Sequence, residues 1–294
     1  MKRVAFVGLG IMGAPMARNA GRAGWDVIGH TRTPASRERA RAQGIEVVDD
    51  LAQAVRGADV LVTVLPDAPD VSAVLLEDGA LDLLDRGALV IDASTVAPAA
   101  SQAIHEACAA RGLTGLDAPV SGGEAGAVDG VLSFMVGGEQ EAFDRARPLL
   151  ESMGTTIERV GPAGAGQTVK AANQLLVAGH LQLLSEALVL LERAGVDPGP
   201  AVRVLGGGLA GSTVMQRKAS NMLAHDYRPG FRLDLHRKDL RIVSDTAQQD
   251  GLSLPLTAAV TQLVNALVAR GVGGLDHSAL HALTRQLNGA RDDA

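Results

Sequence analysis

The hydrophobic pattern changes character about halfway along the chain. In the first half, short apolar runs recur at residues 4–7, 26–30, 46–48, 60–64, 89–91, 114–117 and 132–136. Several are continuous and rich in valine and isoleucine, the pattern of strands covered on both faces. Helical segments read at 14–23, 37–43 and 51–56, with another starting near Pro98. Strands separated by helices of roughly ten residues predict an α/β domain with a doubly wound, mostly parallel sheet. The stretch Gly161-Pro162-Ala163-Gly164-Ala165-Gly166 then reads as a linker. Beyond it, Val169, Ala172, Leu176, Gly179, Leu183, Ala187 and Leu190 recur at spacings of three and four. They predict one helix of roughly 25 residues, stopped by Gly195 and Pro198. It is apolar around most of its circumference, so it should be central and buried. Further helices read at 200–205, 214–223, 235–250, 256–269 and 277–286. The expected organisation is an α/β domain over residues 1–162 and an all-α domain over 163–294, entered by the long helix.

Composition narrows the class. A chain of 294 residues matches two domains of roughly 150 residues each. At 47% hydrophobic and 20% charged residues it has material for a core and the balance of a soluble globular protein. The lone cysteine, Cys108, excludes an intrachain disulfide framework and a cysteine-based zinc site, and fits a reducing compartment. A net charge of -6, with one Trp, one Tyr and four Phe, argues against a nucleic-acid partner. The most apolar long stretch, 175–191, is interrupted by His180, Gln182 and Glu186, so no membrane span is expected. Lys2 and Arg3 before an apolar patch resemble the start of a secretory leader. The patch is short and runs directly into glycines, so a first strand explains it better and a cytoplasmic location is expected.

The candidate chemistry begins at Gly8-Leu9-Gly10-Ile11-Met12-Gly13. This G-x-G-x-x-G follows a predicted strand and opens a predicted helix, the context a dinucleotide pyrophosphate requires. Gly8 permits the tight turn, Gly10 lets the backbone approach the pyrophosphate, and Gly13 lets helix and strand pack closely. The helix N-terminus offers N–H groups and the positive end of its dipole to phosphate. The end of the second strand bears on the choice of nucleotide. Thr31, Arg32 and Thr33 stand where an NAD binder usually carries an acidic residue for the ribose hydroxyls. Arg32 suits a 2′-phosphate or stacks on adenine, or is a solvated surface arginine. NADP is therefore the expected cofactor, with NAD the alternative. Leu65 and Pro66, and Ser94 and Thr95, stand at later strand ends, where ligands bind in open α/β sheets. Ser94 and Thr95 equally suit capping of the helix near Pro98.

As a set, four segments resemble the β-hydroxyacid dehydrogenase family. They run from Phe6 through Gly13 to Met16, from Asp117 through Ser121, Gly122 and Gly123, from Gly164 through Lys170 to Gln174, and over Lys238-Asp239-Leu240. Within that family, segments 207–214, 229–236, 254–260 and 276–280 look most like the branch acting on tartronate semialdehyde (2-hydroxy-3-oxopropionate). The resemblance spans the chain in order. It implies a Rossmann domain, a long interdomain helix and an α-helical domain. It also implies nicotinamide-dependent reduction of a small carboxylate-bearing aldehyde, tartronate semialdehyde to glycerate first. 3-Hydroxyisobutyrate or another short β-hydroxyacid is the alternative within the class, and a non-catalytic nucleotide-binding regulator the alternative outside it. Family members form dimers or tetramers through the α-domain, so a homodimer or homotetramer is expected.

The resemblance also assigns roles. Lys170 becomes the general acid/base for the developing alkoxide, its amine tuned by partial burial. Asn173, three residues on and so on the same helix face, binds a substrate hydroxyl or holds the lysine. Ser121, Gly122 and Gly123 form a carboxylate cradle, or on their own a plain turn. Lys238 approaches the nicotinamide end of the cofactor, supported by Asp239; the bland alternative is an exposed ion pair. Phe231 closes the pocket or belongs to the core. No metal is expected: His277 and His281 lack the glutamate of an H-E-x-x-H motif and read as solvated helix histidines. Ser121 is not in a G-x-S-x-G elbow, which disfavours a hydrolase.

Overall fold

In the computed structural model, which describes residues 2–290, the apolar runs of the first half become one sheet. Its elements are β1 (Arg3–Val7), α1 (Gly13–Arg22), β2 (Asp26–His30), α2 (Pro34–Ala42), β3 (Glu46–Val48), α3 (Leu51–Val55), β4 (Val60–Thr63) and α4 (Ala68–Ser72). There follow β5 (Leu89–Asp92), α5 (Pro98–Ala110), β6 (Thr114–Asp117), β7 (Val120–Ser121), α6 (Gly123–Asp129), β8 (Leu132–Gly137), α7 (Gln140–Leu150) and β9 (Gly154–Gly161). The strand order is β3-β2-β1-β4-β5-β6-β8-β7, with β9 also paired to β8. The first six strands are parallel, with Val4 level with Val27 on one side and Val60 on the other. Successive side chains alternate between faces. Val4 and Phe6 enter a core layer with Met16, Leu116 and Phe134, while Ala5 and Val7 enter the opposite layer with Leu61, Leu75 and Val90. Both faces of β1 are covered, hence its unbroken apolar run. The chain order reverses between β1 and β4, and in such sheets ligands bind beyond the carboxyl ends of the strands at that crevice.

Beyond β6 the sheet departs from the simple reading. β8 is antiparallel to β6 and β7, and α7 carries the chain back to β9, parallel to β8. In β9 only Gly154 and Ile157 are buried, so no apolar run announces it. The expected linker is corrected too. Gly161 ends β9 and the next helix begins at Ala165, leaving a tight turn closed by Ala165 N–H donating to the Pro162 carbonyl at 3.0 Å.

That helix, α8 (Ala165–Arg193), is followed by α9 (Pro198–Gly206), α10 (Thr213–Leu223), α11 (Leu233–Gln249), α12 (Pro255–Ala269) and, after a short 3-10 turn at His277–Ala279, α13 (Leu280–Leu287). The start signals are local: Asp197 and Ser212 accept N–H groups from the first turns of α9 and α10, and prolines stand in the first turns of α9 and α12. Two compact units meet in sequence at the Lys170–Ala171 peptide, inside α8.

The faces of α8 are not those the periodicity predicts. Ala171, Gln174, Ala178, Leu181, Ser185 and Leu188 are buried, whereas Leu176, Leu183 and Leu190 of the expected core stripe are 56%, 60% and 70% exposed. By length and hydropathy alone α8 is sufficient to cross a membrane, with 44% of its most apolar window buried. Ala178, Leu181, Leu184 and Leu188 on its buried face join Met215, Leu240 and Val264 in the core of the helical unit.

His277 and His281 are also corrected. Both are buried rather than solvated. Burial pushes His281 down to about 4 against the pull of Glu192, and burial with the neighbouring His236 holds His277 well below the ordinary histidine range. The unfolded chain takes up these protons near pH 6.5 and the folded protein does not. Stability should therefore be constant above about pH 6.5 and fall as the pH drops toward about 4. Thermal melts across that range check it; a melting temperature unchanged down to about pH 4.5 would contradict it.

Candidate active site

The glycine loop leaves the end of β1 with Gly8 at φ +99°, a left-handed conformation that glycine adopts without strain. The Gly8 N–H donates to the His30 carbonyl at 2.9 Å. A Cβ on Gly8 would overlap the Val64 carbonyl and one on Gly13 would overlap the Gly8 carbonyl, while one on Gly10 would meet open space. α1 starts at Gly13 without a side-chain cap, leaving its N-terminal dipole for a ligand. The open side of Gly10 is where a pyrophosphate would approach, so the loop fits a dinucleotide. Leu9 contributes backbone only, because its side chain is buried against Gly29. Ile11 is exposed. Past β2, Arg32 is exposed and pairs with Asp70 at 2.6 Å, and Thr33 precedes α2 without a side-chain bond to it.

The neighbouring strand ends are tied by buried polar groups. Asp92 accepts from the Thr63 hydroxyl at 2.8 Å and from Ser94 N–H at 3.0 Å. Burial raises the Asp92 pKa against these two bonds. The Ser94 hydroxyl is buried and accepts Leu65 N–H at 2.9 Å. Ser94 thereby fixes Leu65, and α5 starts without a side-chain cap from this stretch. Gln167 of α8 clamps the same region: its Oε1 accepts Val96 N–H at 3.1 Å and its Nε2 donates to the Ser94 carbonyl at 2.8 Å.

Asp117, fully buried at the end of β6, sets where α8 begins. Its carboxylate accepts Gly164 N–H at 2.8 Å and Gln167 N–H at 3.0 Å, and lies 3.2 Å from His105 Nε2. Side chains at Gly137 or Gly166 would overlap that carboxylate. The glycines around residue 164 therefore admit a helix cap, not flexibility. One turn further, Lys170 is buried rather than solvated, and its Nζ donates to the Val120 carbonyl at 2.7 Å. The next residues are Ser121, Gly122 and Gly123; the two glycines have φ of +141° and +64°, and α6 starts at Gly123 without a side-chain cap. The first unit thus brings Lys170 beside the expected carboxylate cradle. Sequence reasoning places Asp117 and Gln167 inside the family segments but gives them no role, because their partners are glycines and backbone groups distant in sequence.

In the second unit, Asn173 Nδ2 donates to Gln174 Oε1 at 2.8 Å. Gln174 in turn donates to Asp239, and Asp239 pairs with Lys238 at 2.9 Å. That ion pair is buried, with side chains 13% and 4% exposed, so the exposed alternative does not hold. Phe231 is half-buried and packs its ring on His236 and His277, with centroids 5.8 Å and 5.3 Å away. Gln174 and His236 also escape sequence reasoning; a buried polar stripe on α8 is their signal. Cys108 offers no competing nucleophile: it is buried and its thiol is pushed up to about 12.

The sequence profile described as the NAD binding domain of 6-phosphogluconate dehydrogenase matches residues 3–161. That described as NAD-binding of NADP-dependent 3-hydroxyisobutyrate dehydrogenase matches residues 164–284. The chain is 39% identical over 279 residues to 2-hydroxy-3-oxopropionate reductase of Escherichia coli, covering 95% of each chain. It is 37% identical to NAD-dependent L-serine dehydrogenase of Pseudomonas aeruginosa, covering 96% of this chain and 98% of the other. The solved structure of Mycobacterium tuberculosis 3-hydroxyisobutyrate dehydrogenase with L-serine superposes with a TM-score of 0.87 at 34% identity, covering 97% and 99% of the two chains. The chain belongs to the 3-hydroxyisobutyrate dehydrogenase-like family, the NAD(P)-dependent oxidoreductases that act on β-hydroxyacids.

Proposed function

We propose that the protein reduces a small carboxylate-bearing aldehyde, 2-hydroxy-3-oxopropionate to glycerate before others, with Lys170 as the general acid. The observation that carries this is the buried Lys170 amine held 2.7 Å from the Val120 carbonyl, directly before Ser121, Gly122 and Gly123. A reduced nicotinamide, when bound, supplies the hydride. Lys170 delivers the proton to the carbonyl oxygen as negative charge develops there, and takes it back in the oxidation direction. Ser121 and the backbone at Gly122 and Gly123 hold the substrate carboxylate. On the helical unit, Asn173 would bind a substrate hydroxyl, Lys238 would face a bound nicotinamide, and Asp239, paired with Lys238 at 2.9 Å, would keep it oriented. Phe231 shields the substrate from water. The preference for 2-hydroxy-3-oxopropionate rests on the similarity to the Escherichia coli enzyme; the similarity to the serine and 3-hydroxyisobutyrate enzymes supplies the alternatives. Ranking kcat/KM over 2-hydroxy-3-oxopropionate, glycerate, 3-hydroxyisobutyrate and L-serine tests it. A leading value for either of the last two overturns the substrate assignment.

For the cofactor we propose NADP. No carboxylate occupies Thr31 to repel a 2′-phosphate, and Arg32 stands at the same strand end, where the phosphate would replace Asp70 as its partner. Thr31→Asp should lower kcat/KM for NADPH by about 10-fold or more and favour NADH, because its carboxylate would repel the 2′-phosphate and compete for Arg32. A wild-type enzyme equally efficient with NADH would refute the preference.

A second copy of this chain is the proposed cover for the exposed Leu176, Leu183 and Leu190. Their seven-residue spacing keeps them on one side of α8, the geometry of a helix-to-helix seam. Light scattering should give a dimer or tetramer. Leu183→Glu should shift it toward monomer; a monomeric wild type at micromolar concentration contradicts the assembly.

A further inference from the structure

α11 carries, besides Lys238 and Asp239, a histidine to which the proposed reaction gives no task. His236 is fully buried and bonds to both α8 and His277. Its Nε2 lies 3.3 Å from the Gln174 carbonyl oxygen on α8, and its Nδ1 lies 3.2 Å from Nδ1 of the buried His277. A carbonyl oxygen only accepts, so the hydrogen of the first bond sits on His236 Nε2. A neutral imidazole then presents a lone pair at Nδ1, and the hydrogen of the second bond must come from His277 Nδ1. With both rings neutral, these bonds require His236 to be protonated at Nε2 and His277 at Nδ1.

The surroundings disfavour charge on His277. Asp276, next to His277, is buried and accepts from Lys218 Nζ at 2.8 Å, from Gly230 and Phe231 N–H at 2.9 Å and from Ser278 N–H at 3.0 Å. Its oxygen stays 3.9 Å from His277 Nε2, beyond a hydrogen bond. Burial, His236 and Lys218 all disfavour charge on His277 against the pull of Asp276. Phe231 covers both rings. On α11 itself the nearest charged groups in sequence are Asp234, Arg237, Lys238 and Asp239.

Gln174 joins this pair to the reacting residues. Its carbonyl takes the His236 bond while its side chain donates to Asp239, the partner of Lys238. His236 and Asp239 are three residues apart and share the face of α11 that meets Gln174. We propose that the hydrogen-bonded His236–His277 pair is a positioning device, which locks the rotation of α11 on Gln174 and so holds Lys238 and Asp239 in the orientation the reaction uses. This rests on the roles given above to Lys238 and Asp239. An apolar pair would fill the same space without fixing that rotation, because hydrophobic contact is not directional.

The test has two arms on the full chain. In the first, nitrogen-15 histidine labelling and long-range proton–nitrogen correlation at neutral pH read the tautomers, with His236→Gln and His277→Asn assigning the signals. Nε2–H on His236 and Nδ1–H on His277 are expected; the reverse tautomers, or a charged ring, overturn the proposal. In the second, His236→Leu is compared with His236→Gln, whose amide Nε2 replaces the imidazole donor toward Gln174. Turnover per cofactor-binding site should fall about 10-fold or more in the leucine variant, with substrate KM little changed, and stay within about threefold of wild type in the glutamine variant. Equal turnover per site in both variants overturns the positioning role, whatever the melting temperatures. If the leucine variant does not fold, the tautomer spectrum and the glutamine variant still decide: a glutamine variant as impaired as about 10-fold contradicts the proposal. A wild type inactive on every hydroxyacid and aldehyde would overturn the functional reading and the positioning role with it. It is told apart because the tautomer spectrum would remain as expected.

Discussion

Lys170→Ala is expected to lower turnover by about 100-fold or more while leaving nicotinamide binding intact. The amine is buried and already fixed by the Val120 carbonyl at 2.7 Å, so its position does not depend on substrate arriving. Without it no other side chain of the first unit's site supplies a proton to the reduced oxygen: the neighbouring cradle consists of Ser121 and two glycines. The glycine loop proposed to take the phosphates follows β1, far from Lys170 in sequence, and its shape is set by Gly8, Gly13 and Val64. Steady-state kinetics beside a cofactor titration check both halves of the statement. Near-normal turnover would remove Lys170 from the chemistry; lost cofactor binding would mean that the substitution disturbs more than a proton donor.

Asp117→Ala should produce the largest loss of stability among single changes near the site. The carboxylate is fully buried and accepts two N–H groups at the start of α8. Alanine would leave both without that partner and His105 facing an empty space. Each orphaned buried donor costs about 1–3 kcal/mol, giving a destabilisation of about 3 kcal/mol or more. For a chain of 294 residues that is a fall of about 5 °C or more in melting temperature. Turnover should fall as well, because the first turns of α8 carry Gln167 and Lys170. Asp117→Asn should be milder, since the amide oxygen still accepts. A melting temperature within about 2 °C of wild type for the alanine variant would show that the cap is dispensable.

The parts of this fold legible in the sequence are those whose cause is local. The glycine loop is one: the tight turn at Gly8, the open approach at Gly10 and the close packing at Gly13 each depend on a few neighbouring residues. The central strands are another, because β1 and β4 are covered on both faces and read as unbroken apolar runs. β9 is not legible, since its edge position leaves Thr155, Thr156 and Glu158 in solvent. On α8 the periodicity points at the wrong face. Leu176, Leu183 and Leu190 look like core but are exposed, while the buried face includes Gln174, Gln182 and Ser185. Apolar spacing in a helix marks a face suited to burial, and this chain alone does not bury that face. The glycines around residue 164 read as a linker because the reason for them, the Asp117 carboxylate, lies some fifty positions earlier in the chain. The family motifs supply Lys170, Asn173 and Lys238 where spacing alone does not. Gln174 and the His236–His277 pair emerge only from the geometry, as buried polar groups whose bonds join segments distant in sequence.

The most direct test of the account is to incubate the purified wild-type protein with 2-hydroxy-3-oxopropionate and reduced nicotinamide. Cofactor consumption is followed by absorbance and the product identified by mass spectrometry. The account predicts glycerate formed in equal amount to the nicotinamide oxidised, with NADPH used more efficiently than NADH. No cofactor consumption with 2-hydroxy-3-oxopropionate, and none in the reverse direction with glycerate, 3-hydroxyisobutyrate or L-serine, would contradict it.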